Sequence, residues 1–161
     1  MNETTWQSYE EVATHLLNQI ASELGLQRVE GKQSVAGLLS GTTWAIDAKG
    51  IKSGEEGFVI VECRRRITSR QKQEDVAALA FRIADTGAAG AIVVSPLGLQ
   101  EGAAKIARAT NIVDVRMDAN STAHSYMVQF LNKVFVGVTD KAQVTESATV
   151  VVVRVEDQAP S

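Results

Sequence analysis

The run Phe58-Val59-Ile60-Val61-Glu62-Cys63-Arg64 constrains the fold more than any other stretch of this chain. Four apolar residues in succession leave no register in which one strand face meets solvent, so the run reads as a β-strand buried on both faces of a sheet. Side chains alternate along a strand, which places Glu62 and Arg64 on one face and Cys63 on the other with Val59 and Val61. A carboxylate at the end of a buried strand is costly unless a cation or a cleft receives it. A second strand is expected upstream, at Trp44-Ala45-Ile46-Asp47-Ala48. Paired with the first as a hairpin, it brings Asp47 and Glu62 to one point. Two carboxylates beside one cationic side chain suit a divalent metal ion.

The length of 161 residues fits one compact domain with an appendage. No stretch approaches the ~20 continuous apolar residues of a membrane span. The segment Met1–Trp6 lacks the charged-then-apolar layout of a secretory signal, and a cytoplasmic location is the default expectation. A single cysteine excludes an internal disulfide and thiolate metal clusters. The formal net charge of -3 argues against a general polyanion binder but leaves room for a local basic patch. Arg64, Arg65, Arg66, Arg70 and Lys72 form such a patch directly after the charged strand end.

Ser8 and Glu11 have capping-box spacing, and Val12, Leu16, Ile20 and Leu24 recur at helical period up to a natural stop at Gly25. Leu26 to Val35 reads as an irregular strand, Gly37, Ser40 and Gly41 as a turn, and Lys49 to Gly54 as a loop. Thr68 with Gln71 has the spacing to cap a second helix, with Val76, Leu79, Ala80 and Ile83 inward and Gly87 at its end. Ala91–Ser95 is a short buried strand, a third helix spans roughly Gln100 to Thr110, and Ile112–Met117 is a further strand. From Phe58 onward the order strand, helix, strand, helix, strand implies an α/β fold, a mixed or parallel sheet covered by helices. The tail is expected to be β, with runs at Tyr126–Leu131, Val134–Val138 and Val150–Val155 and a tight turn at Asn132-Lys133. A helix over Ala123–Lys133 also fits the apolar pattern. The division is a core at 1–119 and a β-rich C-terminal extension at 120–161, packed on the core or on a partner subunit.

These pieces resemble, in order and spacing, the PD-(D/E)XK nuclease superfamily, and within it the Mrr-like restriction endonucleases. The likeness runs from Tyr9 to about Met117. It covers the helix opening Tyr9-Glu10-Glu11-Val12, the turn Gly37-Leu38-Leu39-Ser40-Gly41 and Ile46-Asp47. It continues through Val61-Glu62-Cys63-Arg64, then Val93-Val94-Ser95-Pro96-Leu97-Gly98, and ends in Asn111-Ile112-Val113-Asp114-Val115. The resemblance implies a restriction-endonuclease-like mixed sheet flanked by helices, and a DNA endonuclease that uses Mg²⁺ or Mn²⁺. Asp47 and Glu62 would then hold the metal with the Cys63 carbonyl as a third oxygen, and Glu10 would assist through a water. The family's lysine falls on Arg64. Arginine stabilises charge and forks onto phosphate oxygens, but it stays protonated and cannot act as a base near neutral pH. Lys49, on the face of Asp47 by alternation, is the nearest substitute.

On this reading Arg65, Arg66, Arg70 and Lys72 approach the DNA backbone, where contacts give affinity rather than sequence information. A single short domain would need a homo-oligomer or a partner to cut both strands. A second class of function stands beside it: a nuclease fold that has lost cleavage and keeps a DNA-binding or structural role in an assembly. The plainest structural alternative is that Glu62 and Arg64 form an ion pair of little energetic consequence and that Asp47 pairs with Lys49 or Lys52.

Overall fold

The computed structural model describes residues 9–54, 56–118, 125–130, 133–138 and 149–152. Helix α1 (Tyr9–Gln19) runs through a single 3-10 turn at Ala21–Leu24, ended by Gly25 in the left-handed region at φ 71°, into strand β1 (Leu26–Glu30). Strands β2 (Gln33–Ala36), β3 (Thr43–Ile46), β4 (Ala48–Lys52) and β5 (Phe58–Cys63) follow, then α2 (Gln73–Thr86), β6 (Gly90–Ser95), α3 (Glu101–Ala109) and β7 (Ile112–Met117). Three more strands close the series: β8 (Ser125–Phe130), β9 (Lys133–Val138) and β10 (Thr149–Val152).

Strands β5, β6 and β7 pair in parallel, because each is joined to the next through a helix that crosses the sheet. The hairpin connection from β4 to β5 makes that pair antiparallel, and β1 adds antiparallel to β4. The resulting mixed sheet, in the order β1-β4-β5-β6-β7, continues through β8, β9 and β10, so the described strands of the extension lengthen the sheet of the core. The remaining strands, β2 and β3, form a separate antiparallel hairpin.

Alternation sorts the strand residues to two cores. Ala48, Val61, Cys63, Ile92, Val94, Val115 and Met117 meet α1 through Val12, Ala13, Leu16 and Leu17. Ile60, Ala91, Val93 and Ile112 meet α2 and α3 through Val76, Leu79, Ala103 and Ala107 on the opposite face. Leu16, Leu17 and Ile20 are at most 2% exposed, and each fully buried side chain of this kind contributes about 1.5–3 kcal/mol. Tyr9 closes the α1 side by donating its hydroxyl to the Met117 carbonyl at 2.8 Å, and burial raises its pKa above the ordinary tyrosine value.

Several local expectations change. The strand expected over Trp44–Ala48 breaks at Asp47: β3 belongs to the small hairpin and β4 to the large sheet. Lys49–Lys52, read as loop because of its glycine and lysines, is strand. Gly50 is there for space, since a Cβ would meet Val59 Cγ2 at 2.7 Å and Leu26 Cδ1 at 2.8 Å. The single strand expected over Leu26–Val35 is two strands in different sheets. Helix α2 begins after Lys72 rather than at a Thr68 cap. Asp75 supplies the acceptor for the Lys72 N–H at 3.1 Å, which also suits an acidic group in the first turn. Residues 125–130 are strand, not helix. Ser8, Asn132 and the end of the third tail strand lie outside the described residues.

Asp85, near the end of α2, fastens the β2–β3 hairpin to the body. Its carboxylate accepts from the Leu39 and Ser40 N–H groups at 2.9 and 2.7 Å, from Ser40 Oγ at 2.6 Å and from Trp44 Nε1 at 2.7 Å. Its main-chain carbonyl takes the Leu38 N–H at 2.6 Å. Led by the Ser40 hydroxyl, these donors hold its pKa down to about 2 although the residue is fully buried.

Candidate active site

The β4–β5 register pairs Ala48 with Val61, so Asp47 and Glu62 stand one step further along, opposite each other. Both lie at the end of the sheet where β5 and β6 finish, which in open α/β sheets is where ligands bind. Glu62 is 7% exposed, and its two oxygens are both taken: Arg64 Nη2 reaches Oε1 at 2.8 Å and Arg82 Nη1 reaches Oε2 at 3.0 Å. Burial pushes the Glu62 carboxyl above the ordinary glutamate value and the Asp47 charge adds to this, while both guanidiniums pull it back. Asp47 is half-buried, and its Oδ2 accepts the Cys63 N–H at 2.8 Å. The next residue along, Arg64, turns its own N–H to the Val94 carbonyl on β6 at 2.8 Å. Backbone groups of successive strand residues face opposite edges, so the Cys63 carbonyl faces the β4 edge, beside Asp47.

The Cys63 thiol points to the α1 core as alternation requires, and burial raises its pKa well above the usual thiol value, so it is poorly suited to act as a nucleophile. Glu10, on α1, shares with Asp47 a cleft of about 500 Å³ that Thr14, His15 and Lys32 also line. Glu62 opens instead to a cavity of about 120 Å³ on the α2 side, with Arg64, Gln71 and Arg82. The two carboxylates are thus adjacent across the strand pair but face different recesses, and Glu10 joins Asp47 rather than Glu62. Lys49 places its ammonium over the Phe58 ring at 4.7 Å, further down the hairpin from Asp47. Arg64, Arg65, Arg66, Arg70 and Lys72 are all exposed, on the loop between β5 and α2.

Two residues at the site carry no signal in the local sequence pattern. Arg82 comes from the middle of α2, and its guanidinium lies 5.0 Å from the centre of the Trp44 ring. Gln71 is 2% exposed and lines the Glu62 cavity, and its Nε2 has no hydrogen-bond partner. Its backbone ties the loops after β5 and β6 together, donating to the Gly98 carbonyl at 3.0 Å and accepting from the Gln100 N–H at 2.9 Å.

Among the described residues, no three His, Cys, Asp or Glu side chains gather as a metal cage. The oxygen set available is two carboxylates and the Cys63 carbonyl. Oxygen donors of this kind suit a hard divalent ion that keeps several of its own waters, but one ion shared by both carboxylates requires Glu62 to turn from its own recess towards Asp47 and one guanidinium to give up its oxygen.

The fold is that of an α/β protein with a mixed sheet flanked by helices on both faces. Compared with solved structures, the chain is similar to a protein of unknown function, AF1548, at 19% identity and TM-score 0.53, covering 64% of this chain and 55% of that one. It also matches a repair endonuclease from Pyrococcus abyssi at 17% identity and TM-score 0.43, covering 72% of this chain and 50% of the other. The chain spans about half the length of each of these proteins. Neither a family model nor a curated protein matches the sequence. Among the described residues, no helix is long and apolar enough to cross a membrane.

Proposed function

We propose that this protein is a divalent-metal-dependent DNA endonuclease of the Mrr-like type. The observation that carries the proposal is the register of β4 on β5, which sets Asp47 opposite Glu62, with the Cys63 N–H bonded to Asp47 and Arg64 paired with Glu62. Asp47, Glu62 and that carbonyl would hold Mg²⁺ or Mn²⁺. Such an ion, when bound, lowers the pKa of a coordinated water and draws charge from a phosphate oxygen. Arg64 offers a planar fork to the phosphate. The exposed Arg65, Arg66, Arg70 and Lys72 supply backbone contacts that orient the duplex without reading its sequence. Glu10, which lines the same cleft as Asp47, would order a water.

One observation favours a second reading, a nuclease fold kept for DNA binding or assembly after cleavage was lost. Both oxygens of Glu62 are held by arginines, so positive side chains already occupy the place a metal would take.

Nicking of supercoiled plasmid with Mg²⁺ and with Mn²⁺ separates the two. Metal-dependent nicking by wild type that disappears in Glu62→Ala supports the endonuclease. An inert wild type with activity appearing in Arg64→Lys supports the second reading. Nicking that survives both Glu62→Ala and Asp47→Asn would overturn the site.

A further inference from the structure

The two arginines on Glu62 are not held alike. Arg64 projects from the end of β5 at the head of the basic loop, and its side chain is 43% exposed. Arg82 is 21% exposed and is backed by the Trp44 ring. Trp44 is itself fixed from two sides, by its Nε1–H to the Asp85 carboxylate at 2.7 Å and by edge-on packing against Phe81 at 6.3 Å between ring centres. A continuous series of contacts therefore runs from the buried Asp85 through Trp44 and Arg82 to Glu62, whereas Arg64 ends in solvent.

We propose that Arg82 is the fixed partner of Glu62 and Arg64 the exchangeable one. When a DNA phosphodiester arrives, Arg64 leaves Oε1 for a phosphate oxygen, and Arg82 stays on Oε2 as the positioning residue for the carboxylate. The exchange rests on the DNA-binding part of the function proposed above; the fixed pairing does not. Two arginines on one buried carboxylate have a physical rationale here. Breaking a buried pair by removing its one partner is strongly destabilising, because the remaining charge is left uncompensated. With Arg82 retained, Oε1 can be vacated without that penalty.

The test uses the full chain in EDTA with a labelled DNA duplex, and Arg64→Leu, Arg82→Leu, Arg82→Lys and Glu62→Gln. Arg64→Leu is expected to lower the slope of log affinity against log salt by about 1, the loss of one phosphate contact, and Arg82→Leu to keep the wild-type slope. Urea unfolding of the single and double variants gives the coupling of each arginine to Glu62. The Arg82–Glu62 pair is expected to change the unfolding constant by about tenfold or more, the scale of a hydrogen bond to a charged group. The Arg64–Glu62 pair is expected to change it by clearly less, because the Arg64 side chain is 43% exposed and solvent screens its end of the pair. Arg82→Lys, which keeps the charge, should recover part of the coupling, which a purely space-filling role would not. Equal couplings, or a salt slope lost with Arg82→Leu and kept with Arg64→Leu, would overturn the proposal. A wild type that binds no duplex overturns the proposed function and the exchange together, while the unfolding cycle still decides which arginine is fixed.

Discussion

Asp85 and Glu62 are both buried carboxylates, and the protein satisfies them by opposite means. Around Asp85 the partners are two main-chain N–H groups, a hydroxyl and an indole N–H. All are neutral dipoles in fixed places, and they depress its pKa. Around Glu62 the partners are two long cationic side chains, and burial still leaves its carboxyl raised. Neutral donors from the backbone hold a charge permanently because they cannot move without unfolding the turn that supplies them. A guanidinium on a flexible stem that ends in solvent, as Arg64 does, can be displaced by another ion. The first arrangement suits an anchor for a hairpin, and the second a site that must exchange partners.

The sharpest way to break this contrast is by activity. Glu62→Ala should reduce plasmid nicking by about 10²–10³-fold, the scale of removing one preorganised electrostatic group, while Asp85→Asn should act only through folding. Metal linkage comes next: Mn²⁺ at a hundred times its dissociation constant should stabilise wild type by about 2.7 kcal/mol, read as a higher melting temperature, and Asp47→Asn should lose that gain. Asp85→Ala strands the donors of the hairpin turn and should lower the melting temperature by more than about 5 °C in a metal-free thermal scan.

The pH dependence of stability should carry opposite signs at the two groups. Asp85 titrates at about 2 when folded against an ordinary 3.8, so its contribution is complete above pH 3.8 and is lost as the pH falls towards 2. Glu62 is raised above its ordinary 4.5, so it favours the folded state at low pH and that advantage is lost as the pH rises through 4.5 to its folded value. Urea midpoints against pH should lose the first slope in Asp85→Asn and the second in Glu62→Gln. The smallest effect belongs to the exposed tip: Leu38 and Leu39 are 74% and 73% exposed, and Leu39→Ser should change stability by under about 0.5 kcal/mol in the same urea assay.

Much of the α2 face of the site was legible because it lies within one strand. Alternation alone places Glu62 with Arg64 and turns Cys63 away, and both hold in the structure. The strand–helix order after Phe58 likewise yields the parallel centre of the sheet. What local patterning could not supply comes from residues distant in the chain. Arg82 reaches Glu62 across 20 positions, and Asp85 reaches the Leu39–Trp44 turn across 41 to 46. Each sits on α2 at a spot where an exposed charge would read the same way. Gly50 misled for a related reason. Its lack of a side chain answers to Leu26 and Val59 on the two neighbouring strands, and nothing beside it in sequence reports them.

The change of sheet at Asp47 has a consequence for how this protein can diverge. Asp47 closes the excursion through the β2–β3 hairpin and opens β4, so the hairpin does not decide which residues of β4 and β5 stand opposite one another; its tip answers instead to Asp85, which takes donors from Leu38, Leu39 and Ser40. A single residue gained inside β4 or β5 would break the register itself, because one step along a strand carries a side chain to the other face. Descendants of this chain should therefore keep the lengths of the spans 48–52 and 58–61 for their register, and that of the turn at 38–40 for its donors.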